Sequence, residues 1–117
     1  MAEHYGLEVD ERTADEVRLR VSGELDLEVA PHLLDSILVA SQAGRPGDRV
    51  VVDVHEVTFI DSSGLAALVD AHRRVAAEEQ LLILSNVTER IQRVITLTGL
   101  DHLMTLEAAA AEQDRAS

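Results

Sequence analysis

Cysteine is absent from this chain, which excludes structural disulfides, thiolate nucleophiles and cysteine-ligated metals. Lysine is absent too: all ten basic residues are arginine, a bias we attribute to GC-rich coding rather than to any physical requirement. Aromatic content is 2%, Tyr5 and Phe59 alone, so the core has to be built from Leu, Val, Ile and Ala. With a formal charge of −12 and scarcely a ring to stack on a base, the chain lacks both devices that nucleic-acid surfaces combine, and no nucleic-acid partner is expected. No apolar run approaches the ~18 residues needed to span a bilayer, and the first ten residues lack a basic segment followed by an apolar one. No membrane association is expected, and the expected location is cytoplasmic. His4, His32, His55, His72 and His102 show no paired ligand spacing, so neither a metal nor a cofactor is expected.

What is present reads as globular. Apolar residues make up 46% of the 117 and charged ones 27%. A chain of this length fits one domain, burying roughly two-thirds of the surface its unfolded form exposes. Residues 1–117 are therefore expected to form a single domain, with about 112–117 as a frayed tail.

Between Glu16 and Val21 the apolar Val17, Leu19 and Val21 alternate with Glu16, Arg18 and Arg20, the period of a strand with one wet face. Leu7 and Val9 repeat that period, predicting an antiparallel hairpin. Ala30, Leu33, Leu34, Ile37, Leu38 and Ser41 then fall on one helical stripe, with Pro31 in its first turn and Gly44 at its end, although no Ser, Thr, Asn or Asp directly precedes Ala30. The β-branched run Val50–Val54 suits a central strand covered on both faces. His55 and Glu56 lead through Val57, Phe59 and Ile60 to Asp61-Ser62-Ser63-Gly64, where Leu65, Leu68, Val69, His72 and Val75 begin a second helix, a strand, loop, helix sequence. Leu81–Leu84 predicts another strand, with Ser85 and Asn86 as caps of a third helix on Val87, Ile91, Val94 and Ile95 that Gly99 ends. Leu103–Leu106 supplies a last short strand, and Glu107–Ala111 a terminal helix. This order predicts an α/β fold: a mixed, mostly parallel sheet with an N-terminal antiparallel hairpin and about four helices packed on it.

The chemistry concentrates between Val50 and Leu68, where two hydroxyls and a carboxylate stand at the end of a buried strand and the start of a helix. Open α/β sheets bind ligands at such carboxyl ends, and a helix N-terminus offers N–H groups and a positive dipole end to an anion such as a phosphate on Ser63. Asp61, Ser62 and Ser63 serve equally as plain helix caps, with Gly64 present for close packing, and spacing alone leaves both readings open. His72, alone on an apolar stripe, reads as a packed residue with no assigned function.

The run Val51-Val52-Asp53-Val54 through Val57-Thr58-Phe59-Ile60-Asp61-Ser62-Ser63-Gly64-Leu65 resembles the signature of the bacterial anti-sigma factor antagonists, which share the STAS domain with sulfate transporters. Ser22-Gly23-Glu24-Leu25-Asp26 resembles that family's earlier motif, and the order of elements agrees over nearly the whole chain. The resemblance implies a single STAS-like domain that is a substrate and not an enzyme. It implies phosphorylation of Ser63, with Ser62 as the competing acceptor, by a partner anti-sigma factor that is also a serine kinase using ATP and magnesium. The unmodified form would bind that partner and free a sigma factor, and a metal-dependent serine phosphatase would restore it. Asp26, Asp61, Ser62, Ser63, Gly64 and Leu65 are the implied partner-binding residues; for Asp26 a place beside the serine and a plain turn role both stay open.

Two rivals use the same residues. A Ser63 nucleophile would need the Gly-x-Ser-x-Gly elbow, but Asp61 and Leu65 occupy the glycine positions, and the chain has no lysine for a phosphate-binding loop. A stand-alone STAS subunit of a transporter or stress-signalling complex keeps the fold and changes the task.

Overall fold

The computed structural model describes residues 4–109. The elements run β1 (Tyr5–Arg12), β2 (Glu16–Leu25), α1 (Ala30–Gln42), β3 (Arg49–Ile60), α2 (Ser62–Ala77), β4 (Leu81–Val87), α3 (Glu89–Thr98), a 3₁₀ turn (Leu100–Leu103) and β5 (Thr105–Ala108). The five strands lie in the order β1-β2-β3-β4-β5, with β1 antiparallel to β2 and the rest parallel. Each crossover steps the same way along the sheet, so right-handed connections bring all three helices onto one face.

Burial follows from that arrangement. Val17, Leu19 and Val21 of β2, Val50, Val52 and Val54 of β3 and Leu82 and Leu84 of β4 join Leu33, Ile37, Leu65, Leu68, Val75, Ile91 and Ile95 in one core. The opposite face is where Arg18 points. Its Nη1 lies 3.3 Å from Ser85 Oγ on β4, so the side chain crosses β3 and lays its alkyl stem over the row containing Val51. Val51 is thereby buried as its neighbours are, and β3 is central in the sheet and covered on both sides at Val50–Val52. Val9, by contrast, is 59% exposed: β1 is an edge strand, bulged between Val9 and Glu11.

Several expectations are corrected. Three α-helices, rather than about four, are present among the described residues. Glu107 and Ala108, expected to open a terminal helix, belong to β5, because pairing of Thr105 with Ile83, Leu106 with Leu84 and Ala108 with Val87 gives their backbone a ladder. The remainder of that expected helix and the expected frayed tail lie outside the described residues. The last strand starts at Thr105 rather than Leu103 because Gly99, at φ +77, ends α3 and starts the 3₁₀ turn. Ser85 and Asn86 do not cap α3; both lie in β4, and Thr88 Oγ1 accepts from Ile91 N instead. No loop separates β3 from α2, since His55 and Glu56 stay in a strand that runs unbroken to Ile60.

One buried polar group ties the far ends of the helical layer together. Ser41 Oγ of α1 donates to Gln80 Oε1 at 2.5 Å, and Gln80 Nε2 donates to the carbonyls of Ser41 and Arg45 at 3.1 and 3.0 Å. Gln80→Ala leaves the buried Ser41 hydroxyl without its acceptor, while the two carbonyls keep their bonds from Gly44 N and Asp48 N, and urea denaturation should show a loss of about 1–2 kcal/mol. A loss within experimental error would contradict this account.

Tyr5 ties β1 to α1. Its hydroxyl is 3.1 Å from His32 Nδ1, the rings meet edge to face, and burial pushes the phenol up from 10.0 to about 12. A raised folded-state value favours the neutral form, so this contribution is complete below pH 10.0 and fades as pH climbs through about 12. Denaturation measured across that window should show declining stability, with a flatter decline in Tyr5→Phe; identical pH profiles would refute the assignment.

Candidate functional site

Strands β2 and β3 end level with one another, Leu25 opposite Ile60, and the ladder gains one more bond where Asp61 N donates to Leu25 O at 3.2 Å. The two sequence motifs, thirty-odd residues apart along the chain, therefore meet at the carboxyl edge of the sheet. Their glycines make the meeting possible. A Cβ on Gly64 would lie 2.2 Å from Leu25 O and 2.9 Å from Leu25 Cβ, so the first turn of α2 presses directly on the end of β2. Gly23 has φ +89, and a Cβ there would overlap the His4 carbonyl.

Asp61 is the N-cap of α2. Its backbone is extended, and Oδ1 accepts from Ser63 N at 2.9 Å and Gly64 N at 3.0 Å. Of the three caps the sequence offers, only Asp61 serves: Ser62, whose plain role would be the cap, is the first helical residue and is exposed. The Asp61 carboxylate also occupies two of the N–H groups expected to face a phosphate. The N–H groups of Ser63 and Gly64 are already taken by a carboxylate, so a phosphate on Ser63 would adjoin Asp61 without those donors.

Ser63 is half-buried at the surface of the first turn, not sealed in the core. Asp26 directly follows the last residue of β2, and its carboxylate serves its own turn: Oδ1 accepts from Glu28 N at 3.1 Å and Val29 N at 3.3 Å, while its carbonyl accepts from Ala30 N at 2.9 Å. That turn replaces the missing cap of α1, whose N-cap Val29 has no side-chain bond to offer. Of the other candidate residues, Gly64 and Leu65 are buried, Leu65 at 1% exposure within the core, so neither presents a side chain outward. Glu24 and Glu28 are exposed beside Asp26, which makes the rim of the site acidic.

Three apolar side chains stand in solvent, two of them adjoining residues of this edge. Leu27 is 73% exposed at the tip of the β2–α1 turn, Phe59 is 49% exposed beside Ile60, and Leu97 of α3 is 81% exposed. Leu97 was detectable as an apolar residue off the Ile91, Val94, Ile95 stripe; Leu27, set between two acids, was detectable only as an interruption. An apolar groove of about 360 Å³ starts at Ser62 and runs between α2 and the end of α3, floored by Leu65, Ala66 and Val69 and closed by Leu100.

His72 follows Ser63 by nine residues on the same helix, about 13 Å along the axis. Among the described residues no cluster of His, Asp or Glu could hold a metal ion, and no helix is long and apolar enough to cross a membrane.

The cap is the feature most open to direct test. Asp61→Ala should cost about 1–2 kcal/mol of stability in chemical denaturation, while Asp61→Asn, which keeps the accepting oxygen, should cost only a few tenths. Equal losses in the two variants would point to a role for the charge instead of the cap.

A family model described as "Mlab, STAS domain" matches residues 9–107. An anti-sigma-B factor antagonist of Staphylococcus epidermidis is 32% identical over 90 residues, covering 77% of this chain and 82% of that one. Among solved structures, an anti-sigma factor antagonist from Mycobacterium paratuberculosis superposes with a TM-score of 0.75 at 26% identity, over 96% of this chain and 92% of that one. The anti-sigma factor antagonist SpoIIAA in its unphosphorylated form shares the fold with a TM-score of 0.69 at 23% identity, covering 95% and 96% of the two chains. Its phosphorylated form, from Bacillus, gives 0.63 at 23% identity, covering 96% and 100%. With the family model spanning most of its length, the chain belongs to the STAS-domain family, and the relatives it resembles there include anti-sigma factor antagonists.

Proposed function

We propose that this protein is an anti-sigma factor antagonist switched by phosphorylation of Ser63. In its unmodified form it binds an anti-sigma factor and so releases a sigma factor; that partner, acting as a serine kinase, transfers phosphate to Ser63, and a metal-dependent serine phosphatase removes it. The protein acts as substrate and ligand, not as catalyst. Support for the modification comes from SpoIIAA, a protein of the same fold known in phosphorylated and unphosphorylated forms.

The observation that carries the reading is the Asp61 carboxylate on the amides of Ser63 and Gly64. A phosphoserine brings roughly −1.5 to −2 charges and three acceptor oxygens. At most helix N-termini free N–H groups would absorb part of that charge. Here the adjacent donors are occupied, and Glu24, Asp26 and Glu28 line the same edge. The added charge is therefore displayed outward to the partner, where it repels acidic groups and fills the space that a small hydroxyl left. Leu27 and Phe59 supply the apolar contact area that the phosphate disrupts. Because Ser63 already lies at the surface, the switch acts on the interface and needs no refolding of the domain.

Ser62 is the more exposed hydroxyl and lines the rim of the apolar groove with Leu65 and Val69, whereas Ser63, half-buried, is the residue whose backbone N–H the Asp61 cap holds. Incubation with the cognate anti-sigma factor and ATP, followed by mass spectrometry, should place the phosphate on Ser63. Ser63→Ala should bind that partner without being modified, and Ser63→Asp should bind at least about tenfold more weakly. Phosphate on Ser62, or undiminished binding by Ser63→Asp, would overturn the proposal.

A further inference from the structure

The second half of α2 faces the 3₁₀ turn and the start of β5 across another groove, of about 550 Å³. Its walls are apolar, Val69 and Ala76 on one side and Leu103 and Met104 on the other. Three nitrogen-bearing side chains, His72, Arg73 and His102, also line it, and no carboxylate does, in a chain with 22 acidic residues against ten basic ones. Among the described residues, His72 Nε2 is the one buried side-chain polar atom without a hydrogen-bond partner. An unmet buried nitrogen is unfavourable wherever a leucine would pack, and it marks a position where a bound group can supply the missing partner.

We propose that this groove binds a small amphiphilic carboxylate, its head on His72 Nε2 and the Arg73 guanidinium and its aliphatic body against Val69, Leu103 and Met104. Arginine's planar fork suits a carboxylate head, and the imidazole supplies one further donor through Nε2–H. Arg73 is free to engage it. It lies 3.3 Å from Asp70, but Arg74 also reaches Asp70, at 3.5 Å, so Asp70 keeps a cationic partner when Arg73 turns inward. Nε2 itself is closed to solvent, so the head group reaches it only when a neighbour turns aside; of the groove's lining, the side chains of Arg73 and His102 are 72% and 86% exposed. Asp101, the other acid close by, stands 4.0 Å from His102 Nε2 and does not line the groove. The site shares Val69 and Arg73 with the groove that starts at Ser62, so it occupies the same helix face as the proposed switch while depending on none of its residues.

Octanoate is a suitable probe. Titrated into the full chain and followed by heteronuclear NMR, it should produce saturable shifts at His72, Leu103 and Met104, with octanol, equal in length but uncharged, binding at least about tenfold more weakly. Arg73→Gln, at an exposed position that leaves folding intact, and His72→Leu should each weaken octanoate binding about tenfold. Shifts that rise without saturating, equal affinity for octanol, or undiminished binding by Arg73→Gln would overturn the proposal.

Discussion

The site depends on the absence of one carbon atom. Because Gly64 carries no Cβ, the first turn of α2 can press against the carbonyl of Leu25, and the helix starts at the residue immediately after Asp61. The Asp61 N–H bond to that same carbonyl fixes the height at which the two strand ends are joined. A start displaced by one residue would rotate each side chain of the turn by about 100° and aim Ser63 in another direction. The direction of Ser63 is thus set by backbone contact between two strands and a helix, not by any bond its own hydroxyl makes.

The electrostatics of the edge follow from the same geometry. A helix N-terminus normally attracts anions, and here the attraction is spent on Asp61, a permanent part of the chain. What is left is an acidic rim, with Asp26 occupied in its own turn and Glu24 and Glu28 in solvent. A rigid scaffold holds that rim: β3 is sheltered on one side by the helices and on the other by the stem of Arg18. Chemistry that changes charge at such an edge is read by whatever docks there, without passing through the core.

Much of the fold was legible because burial in a layered α/β protein imposes periods on the chain. The alternation of Val17, Leu19 and Val21, the stripe from Ala30 to Ser41 and the apolar run at Val50 each named their element correctly, and Gly99 ended α3 as its conformational freedom predicts. Failures came where a residue type is compatible with two local states and a distant partner decides. Glu107 and Ala108 favour helix by propensity but were taken up by the ladder with β4. Ser85 and Asn86 look like caps, yet Arg18 and Asp53, far away in sequence, hold them in a strand. Asp61, Ser62 and Ser63 are all acceptable caps, and only the height of the Leu25 carbonyl selects Asp61.

Alone, the sequence determined the class of fold, the order of its elements, an aliphatic core and the two motifs whose resemblance names the family, since periodicity and residue chemistry are local properties. The tertiary structure decided which oxygen caps α2, that Asp26 serves its own turn, that Leu65 is core, and that Leu27, Phe59 and Leu97 stand in solvent. It also brought His72 and Arg73 opposite Leu103 and Met104. These are matters of register and of the approach of segments remote in sequence, and no local pattern encodes a distance between two such segments.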